Sequence, residues 1–438
     1  KTAYYDLIQI LLHSQFDKTH LITNLQTLKK YREKLPLMQI QSHKVPINTR
    51  NTPSTTKNFT KVYYFSLIEY LQRILKNPII SSYLYFGPGI LSESCEELWE
   101  GNLWAESPLF GQSNITTSRG SFKCGDFVQY LSCEILQYGR IQSFVIKDNL
   151  MKVQIQRLLP YSRIPQNLYS LERELQAQEW FLVEETSDHI IEPSFLIKKI
   201  EVWFKDQLPP PFFDLSVNEV LYYFNGSWKC RPIKFRNRHP SEYISTNSPP
   251  NSTMPVLKFF LDLYYDDFGT FRNVYHSLGG VYLQIGNMPH KLRKQLRNHF
   301  VIGFVPFGGS IQDFIKPFIE EVKKLEQGFV INLNEVDYWV TGGLGVFTSD
   351  LPQGNDIAGT LRHNAYRGCR ICKATKDQFT NLSFDIYYHA RYHQVTDQEF
   401  QVINQQTSKT AKSRLCSQYG LRLLPGPLDS ILHDRHLH

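Results

Sequence analysis

No run of apolar residues in this 438-residue chain approaches the roughly 20 needed to cross a bilayer, which excludes a helical membrane span. No charged-then-apolar leader opens the chain, and residue 1 is Lys rather than Met, so the expectation is a piece of a longer protein. Cysteine is scarce. The seven present are odd in number and too few for a disulfide framework, which suits a reducing compartment. No charge sign dominates: 48 Lys and Arg against 41 Asp and Glu leave +7, which permits a polyanionic partner without demanding one. Internal repeats are lacking. Gly342-Gly343-x-Gly345 has no Lys-Ser/Thr beside it to make a phosphate-binding loop, and no Gly-x-Ser-x-Gly elbow marks a serine hydrolase.

What is abundant is aromatic surface: 25 Tyr and 29 Phe can fill large cores, and 42% apolar with 20% charged residues describes a globular chain of two or three domains. Residues 1–120 read as a helical amino-terminal region, with an apolar stretch from Tyr4 to Phe16, a polar linker from Pro46 to Asn58 and a helix over Lys61–Lys76, stopped by Asn77-Pro78. Residues 121–206 change character. Short apolar runs at Phe127-Val128, Ile141–Val145, Val153–Ile155, Trp180–Val183 and Ile200–Trp203 predict a small β-barrel. Residues 207–255 connect, ending in the polar stretch Pro240–Pro255. From Val256 the pattern predicts an α/β domain: a buried central strand over Val256–Tyr265, a strand at Val301–Val305, a helix over Ser310–Glu326 that Pro317 can kink, and a strand over Val336–Phe347.

Three groups of residues can carry chemistry. Cys369-x2-Cys372 and His389-x3-His393 have the ligand types and spacings of a tetrahedral zinc site; the alternative is two buried cysteines and two unrelated histidines. Asp266 and Asp350 each follow an apolar strand run, where α/β sheets place ligands, and could hold a pair of Mg²⁺ ions; the alternative is a turn or helix-cap role. Two runs are basic without acids: Lys229, Arg231, Lys234, Arg236 and Arg238, and a predicted helix bearing His290, Lys291, Arg293, Lys294, Arg297 and His299, with Leu292 and Leu296 on its buried side. They suit phosphate contacts or a solvated face.

The stretches LYYDDFGTF, VIGFVPFGG, FTSDLPQGNDIAG and GCRIC, spread over about residues 256–400, resemble the transposase of CACTA-type (En/Spm) DNA transposons, and YYFSLIEYLQRILKNP, YFGPGI and ESPLFG resemble the accessory region of its fungal members. KCGDFVQY, YGRIQSF and EWFLVEETSDHIIEPSFLIKKIEVW resemble a bromo-adjacent homology (BAH) domain, with Tyr130, Tyr138, Trp180 and Phe181 as candidates for a methyl-lysine cage or for core.

The resemblance implies an α+β multi-domain protein. A BAH-like β module would be followed by a ribonuclease-H-like domain over 256–438, with a zinc insert at about 366–395. It implies two catalytic Mg²⁺ ions on Asp266 and Asp350, a structural Zn²⁺ on Cys369, Cys372, His389 and His393, and DNA contacts from Lys291, Arg293, Lys294 and Arg297. In an intact relative it implies DNA strand cleavage and transfer by a DDE triad, of which Asp266 and Asp350 match the first two acids; the third has no clear match, with Asp429 and Asp434 as candidates. The implied partners are transposon-end DNA, nucleosomes or histone tails and a second copy of the chain, in the nucleus and away from membranes. A catalytically inactive chromatin-binding protein derived from a transposase is the alternative, and a plain zinc-dependent nucleic-acid-binding protein a third reading.

Overall fold

The computed structural model describes residues 9, 12–14, 25–35, 37–48, 57–170, 179–184, 189–233, 238–269 and 277–433. Most of Tyr4–Phe16, together with Lys234, Arg236 and Asp434, lies outside the described residues. The chain forms two compact units, Lys1–Ile40 and Gln41–His438. The first contains a helix over Leu25–Glu33. The second is mixed α/β, with a seven-stranded sheet and a ten-stranded sheet that curls into a half-barrel.

The seven-stranded sheet begins with β1 (Gln41–Pro46) and β2 (Phe59–Tyr64), which pair antiparallel. The sequence reading placed a helix from Lys61. In the structure Phe59–Tyr64 is strand, and the helix starts only at Leu67, where the Ser66 hydroxyl accepts the Glu69 N–H. The Glu321 carboxylate reinforces this end, accepting from the Ser66 hydroxyl and the Leu67 N–H, both at 2.6 Å. Leu67, Leu71, Ile74 and Leu75 form the buried stripe of helix Leu67–Lys76.

The chain then builds the half-barrel. Its ten strands are β3 (Gly89–Ile90), β6 (Phe127–Ser132), β7 (Ile135–Lys147), β8 (Leu150–Pro160), β9 (Trp180–Glu184), β10 (His189–Ile191), β11 (Leu196–Lys199), β12 (Val202–Phe204), β13 (Leu215–Phe224) and β14 (Ser227–Pro232); between β3 and β6, β4 (Asn114–Thr117) and β5 (Gly120–Lys123) pair as a separate small ribbon. The main path runs β11-β6-β7-β8-β9-β13-β12. Tyr130 (0% exposed) and Phe181 (2%) fill its interior, and Tyr138 meets Trp180 edge-on at 5.0 Å; the four rings are packing residues rather than one open cage.

The chain re-enters the first sheet with β15 (Val256–Gly269), β16 (Ser277–Ile285), β17 (Phe300–Val305), β18 (Phe329–Leu333) and β19 (Val336–Ser349), giving the order β1-β2-β17-β16-β15-β19-β18. β16 runs antiparallel to both its neighbours, β15 and β17, and β19 runs parallel to β15. Pro317 divides the expected helix in two, Ile311–Phe314 and Lys316–Gln327, because it has no N–H to continue the first. Helices Leu67–Lys76 and Lys316–Gln327 pack on the face carrying Phe259, Leu261, Leu263 and Tyr265. Thus residues 41–86, read above as accessory, supply the two outermost strands on one side of the sheet and a covering helix to the α/β core.

Buried polar groups join the segments of this core to one another and tie the half-barrel to it. Asn287 is fully buried; its amide donates to Tyr85 O and Lys258 O and accepts the Phe260 N–H, satisfying three backbone groups at once. His239 bridges to the barrel. Its Nε2–H donates to Gln142 O (2.8 Å), and its Nδ1 accepts the Ser241 N–H (3.2 Å). Burial, aided by the Arg140 guanidinium, pushes its pKa down to about 3, against the pull of the Gln142 carbonyl. The folded ring is therefore neutral where the unfolded one, with its ordinary value of 6.5, binds a proton. This contribution to stability is complete above pH 6.5 and is lost as pH falls toward 3, with a slope approaching about 1.4 kcal/mol per pH unit. His239→Gln should remove that part of the acid slope in urea titrations run between pH 6 and 4; identical slopes for the two proteins would exclude the effect.

Candidate functional site

β15 and β19 meet in register with Tyr264 opposite Thr348 and Tyr265 opposite Ser349. The next residues along are Asp266, still within β15, and Asp350, just past the end of β19; continuing the parallel register puts them side by side. In a parallel pair, opposed residues share a face, so both acids sit on the face of Tyr264 and Thr348. Asp267 turns to the other face: Tyr264 donates to Asp266 Oδ2 at 3.1 Å, whereas Tyr265 donates to Asp267 Oδ1 at 2.9 Å. Asp350 also caps helix Leu351–Ile357, its Oδ1 accepting the Gln353 N–H at 2.8 Å. The helix-cap reading of Asp350 is thus realised, and it leaves Oδ2 outside that bond. The phenols register the acids: burial first, then Asp266 and Asp350, raise Tyr264, while burial, Asp267, Asp266 and Asp350 raise Tyr265.

Asp262 shares the face and was not singled out in the sequence, hidden inside the run LKFFLDLYY. Burial raises its pKa to about 6, against Arg293, the Thr348 hydroxyl and His299. Four residues of strand, about 13 Å, separate it from Asp266, too far to share an ion pair of metals. Asp429 lies between Leu428 and Ile431, which are buried in the core. Among the described residues no three His, Cys, Asp or Glu side chains gather closely enough to hold a metal ion.

The second basic run is not one helix. His290–Arg293 is a single turn, followed by a 3₁₀ turn at Leu296–Asn298. Its orientation is also reversed from expectation, since Leu296 is 85% exposed and Arg293 only 9%. Arg293 donates to Met288 O at 2.8 Å and faces Glu97 at 3.6 Å, so its guanidinium is committed internally. Lys291, Lys294 and Arg297 remain at the surface. Their connection leaves β16 opposite Leu261, about 17 Å along the strand from the rung of Asp266. In the first basic run, Lys229 pairs with Asp385, and Arg231 is 3% exposed and pairs with Glu184.

The cysteine segment is built around Arg391, 1% exposed. Its guanidinium donates to Cys369 O (2.8 Å), Tyr419 O (2.6 Å) and Arg367 O (3.3 Å). Backbone pairing joins Cys372 to Ala390, with Lys373 N–H on His389 O and Arg391 N–H on Ile371 O. The sulfurs of Cys369 and Cys372 stand 3.7 Å apart. Two thiolates on one tetrahedral zinc, each at about 2.3 Å, are about 3.7 Å apart, so this pair fits the metal. The Cys372 S–H, the Cys372 and Ile371 N–H groups and Arg391 draw the Cys369 thiol down to about 5 against burial. The imidazoles are placed differently: His389 stacks on Phe384 at 5.0 Å, and His393 Nε2 lies 3.5 Å from Asp397. The histidines are thus on the segment bridged to the cysteines, with their rings outside the sulfur cluster.

This segment docks on the half-barrel. Asp385 accepts from Tyr222 (2.9 Å) and Lys229 (3.1 Å), and Tyr387 packs against Tyr222 and Phe224. Burial pushes the Asp385 carboxyl up, but the Tyr388 N–H, Lys229 and Tyr222 outweigh it and hold it below its ordinary value. Arg391→Met would strand three carbonyls. It should destabilise this segment by roughly 3 kcal/mol, read as faster amide hydrogen exchange across residues 367–373 with β15 unaffected; unchanged exchange would refute its organising role.

No known family model and no curated protein sequence matches the chain.

Proposed function

We propose that this chain is a transposase-derived DNA-binding protein whose seven-stranded sheet is a ribonuclease-H-like core and whose half-barrel is a BAH-like module for chromatin association in the nucleus. The observation that carries this reading is the side-by-side placement of Asp266 and Asp350 on β15 and β19, within a sheet of three antiparallel strands joined by a parallel fourth. Asp266 and Asp350 would hold the Mg²⁺ ions, which when bound supply Lewis-acid stabilisation of a reacting phosphodiester. Tyr264 orients Asp266 through its hydroxyl, and the helix N-terminus at Leu351 fixes one oxygen of Asp350. Lys291, Lys294 and Arg297 neutralise DNA phosphates away from the acids. Transposon ends are the substrate class, and self-association of the chain accompanies their pairing.

The spacing of the Cys369 and Cys372 sulfurs favours a structural zinc. His389 and His393 complete the set by turning inward from the bridged segment. The second reading, a catalytically inactive chromatin-binding protein of the same descent, is favoured by one observation: among the described residues no third acid joins Asp266 and Asp350.

Incubation of supercoiled DNA with Mg²⁺ should give nicked product. Asp266→Asn or Asp350→Asn should lower the rate at least about 10³-fold with DNA affinity retained, as expected for groups needed only in the transition state. No cleavage by the parent chain, alongside intact DNA binding, selects the inactive reading. Changing Lys291, Lys294 and Arg297 together to Ala should lower the slope of log affinity against log salt by roughly 2.7, about 0.9 per phosphate contact. An unchanged slope would move the DNA elsewhere. Metal analysis should find about one zinc per chain, and Cys369→Ser should lower zinc content and thermal stability together; zinc-free, chelator-insensitive protein would remove the metal from this account.

A further inference from the structure

A cavity of about 370 Å³ lies between the start of β15, the 108–114 segment and the 246–249 loop. Lys258 is the one ionisable side chain among the described residues that line it. Its ammonium donates to Pro108 O at 2.8 Å and Gly111 O at 2.7 Å, which uses two of its three N–H bonds. Carbonyl oxygens satisfy hydrogen bonds but bring no counter-charge. The electrostatic partner of Lys258 is Cys124, whose own thiol is pushed up to about 12 by burial and is therefore neutral. Among the described residues no carboxylate acts on this ammonium, and burial lowers the Lys258 pKa to about 8. The rest of the lining combines an apolar wall of Phe86, Phe110 and Trp339 with neutral hydrogen-bonding groups such as Asn247 and Ser248. One half-buried cation, apolar walls and a few neutral polar groups make a ligand site.

We propose that this cavity binds a carboxylate group, with Lys258 as its counter-ion and the aromatic wall receiving the apolar body that carries it. The charge count selects the ligand: a single cation compensates a monoanion, whereas a phosphate monoester carries nearly two negative charges. The cavity also shares Pro108, Ser113, Asn114, Thr246 and Ser248 with an adjoining space of about 820 Å³. That continuation leaves room for a peptide chain ending on Lys258 as well as for a small aromatic acid. The site stands on β15 at the opposite end from Asp266, independent of the acids.

Isothermal titration calorimetry of the whole chain tests this with benzoate, the pentapeptide Gly-Gly-Gly-Leu-Phe with a free carboxyl end, the same peptide amidated, and inorganic phosphate. Benzoate, the free-acid peptide or both should bind, identifying a small acid or a chain terminus as the source. The amidated peptide should bind at least about tenfold more weakly than its free acid. Lys258→Met should weaken the carboxylates by a similar factor. Because Lys258→Met also removes the two carbonyl contacts on which the local fold rests, Ser248→Trp provides a second test: it narrows the cavity from an exposed loop, leaves those contacts in place, and should also abolish binding. Absence of carboxylate binding, equal affinity for the amide, phosphate binding more tightly than either acid, or unchanged binding in Ser248→Trp would each overturn the proposal.

Discussion

The parallel pairing of β15 with β19 is the constraint on which the rest of this molecule depends. It requires close approach, and the glycines of β19 permit it. Gly342 has φ +147, and a Cβ there would collide with the Phe259 backbone; one at Gly345 would enter the Phe260 ring. The cluster Gly342-Gly343-x-Gly345 is strand interior, where missing side chains let Phe260 settle between Trp104, stacked at 5.7 Å, and Phe110 at 4.6 Å. That aromatic cluster in turn holds the segment that supplies Pro108 and Gly111 to Lys258.

β15 consequently works as an axis with two unlike faces. Phe259, Leu261, Leu263 and Tyr265 make the core. The other face passes from the Lys258 cavity, through the aromatic cluster around Phe260 and the half-buried Asp262 near Arg293, to the solvent-reaching Asp266. Alternation of residues along one strand thus separates packing from chemistry without any loop being needed. The exposed Tyr264 and its neighbour Tyr282, 6.1 Å apart, mark where that face opens.

Much of this axis was legible in the sequence, because a long apolar run is a strong strand signal and acids at its end break the pattern visibly. The cysteine pair was legible for a similar reason: two sulfurs three residues apart lie on one local turn whatever surrounds them. What failed to show depended on distant contacts. Nothing in FTKVYY says that Tyr64 will pair with Gly303, so that segment merged with the helix after it. Leu296 and Arg293 exchanged their expected places because carbonyls at Gly286 and Met288 accept the guanidinium, an interaction invisible to hydrophobic periodicity. Arg391 and Asp262 were missed likewise, since a charged residue inside its fold is identified by what solvates it rather than by its neighbours in sequence.

The half-barrel interrupts the sheet in the chain: the polypeptide leaves the α/β core after the Leu67–Lys76 helix and returns at Val256. The bond from Ser66 to Glu321 spans 255 residues. On a ribosome adding about 5–20 residues per second, the amino-terminal strands and their helix wait roughly ten seconds to a minute before Glu321 emerges. The half-barrel, whose strand pairs lie mostly between sequence neighbours, can close during that interval. The early apolar stripe of Leu67, Leu71, Ile74 and Leu75 meanwhile lacks the later strands and helix that cover it in the finished fold.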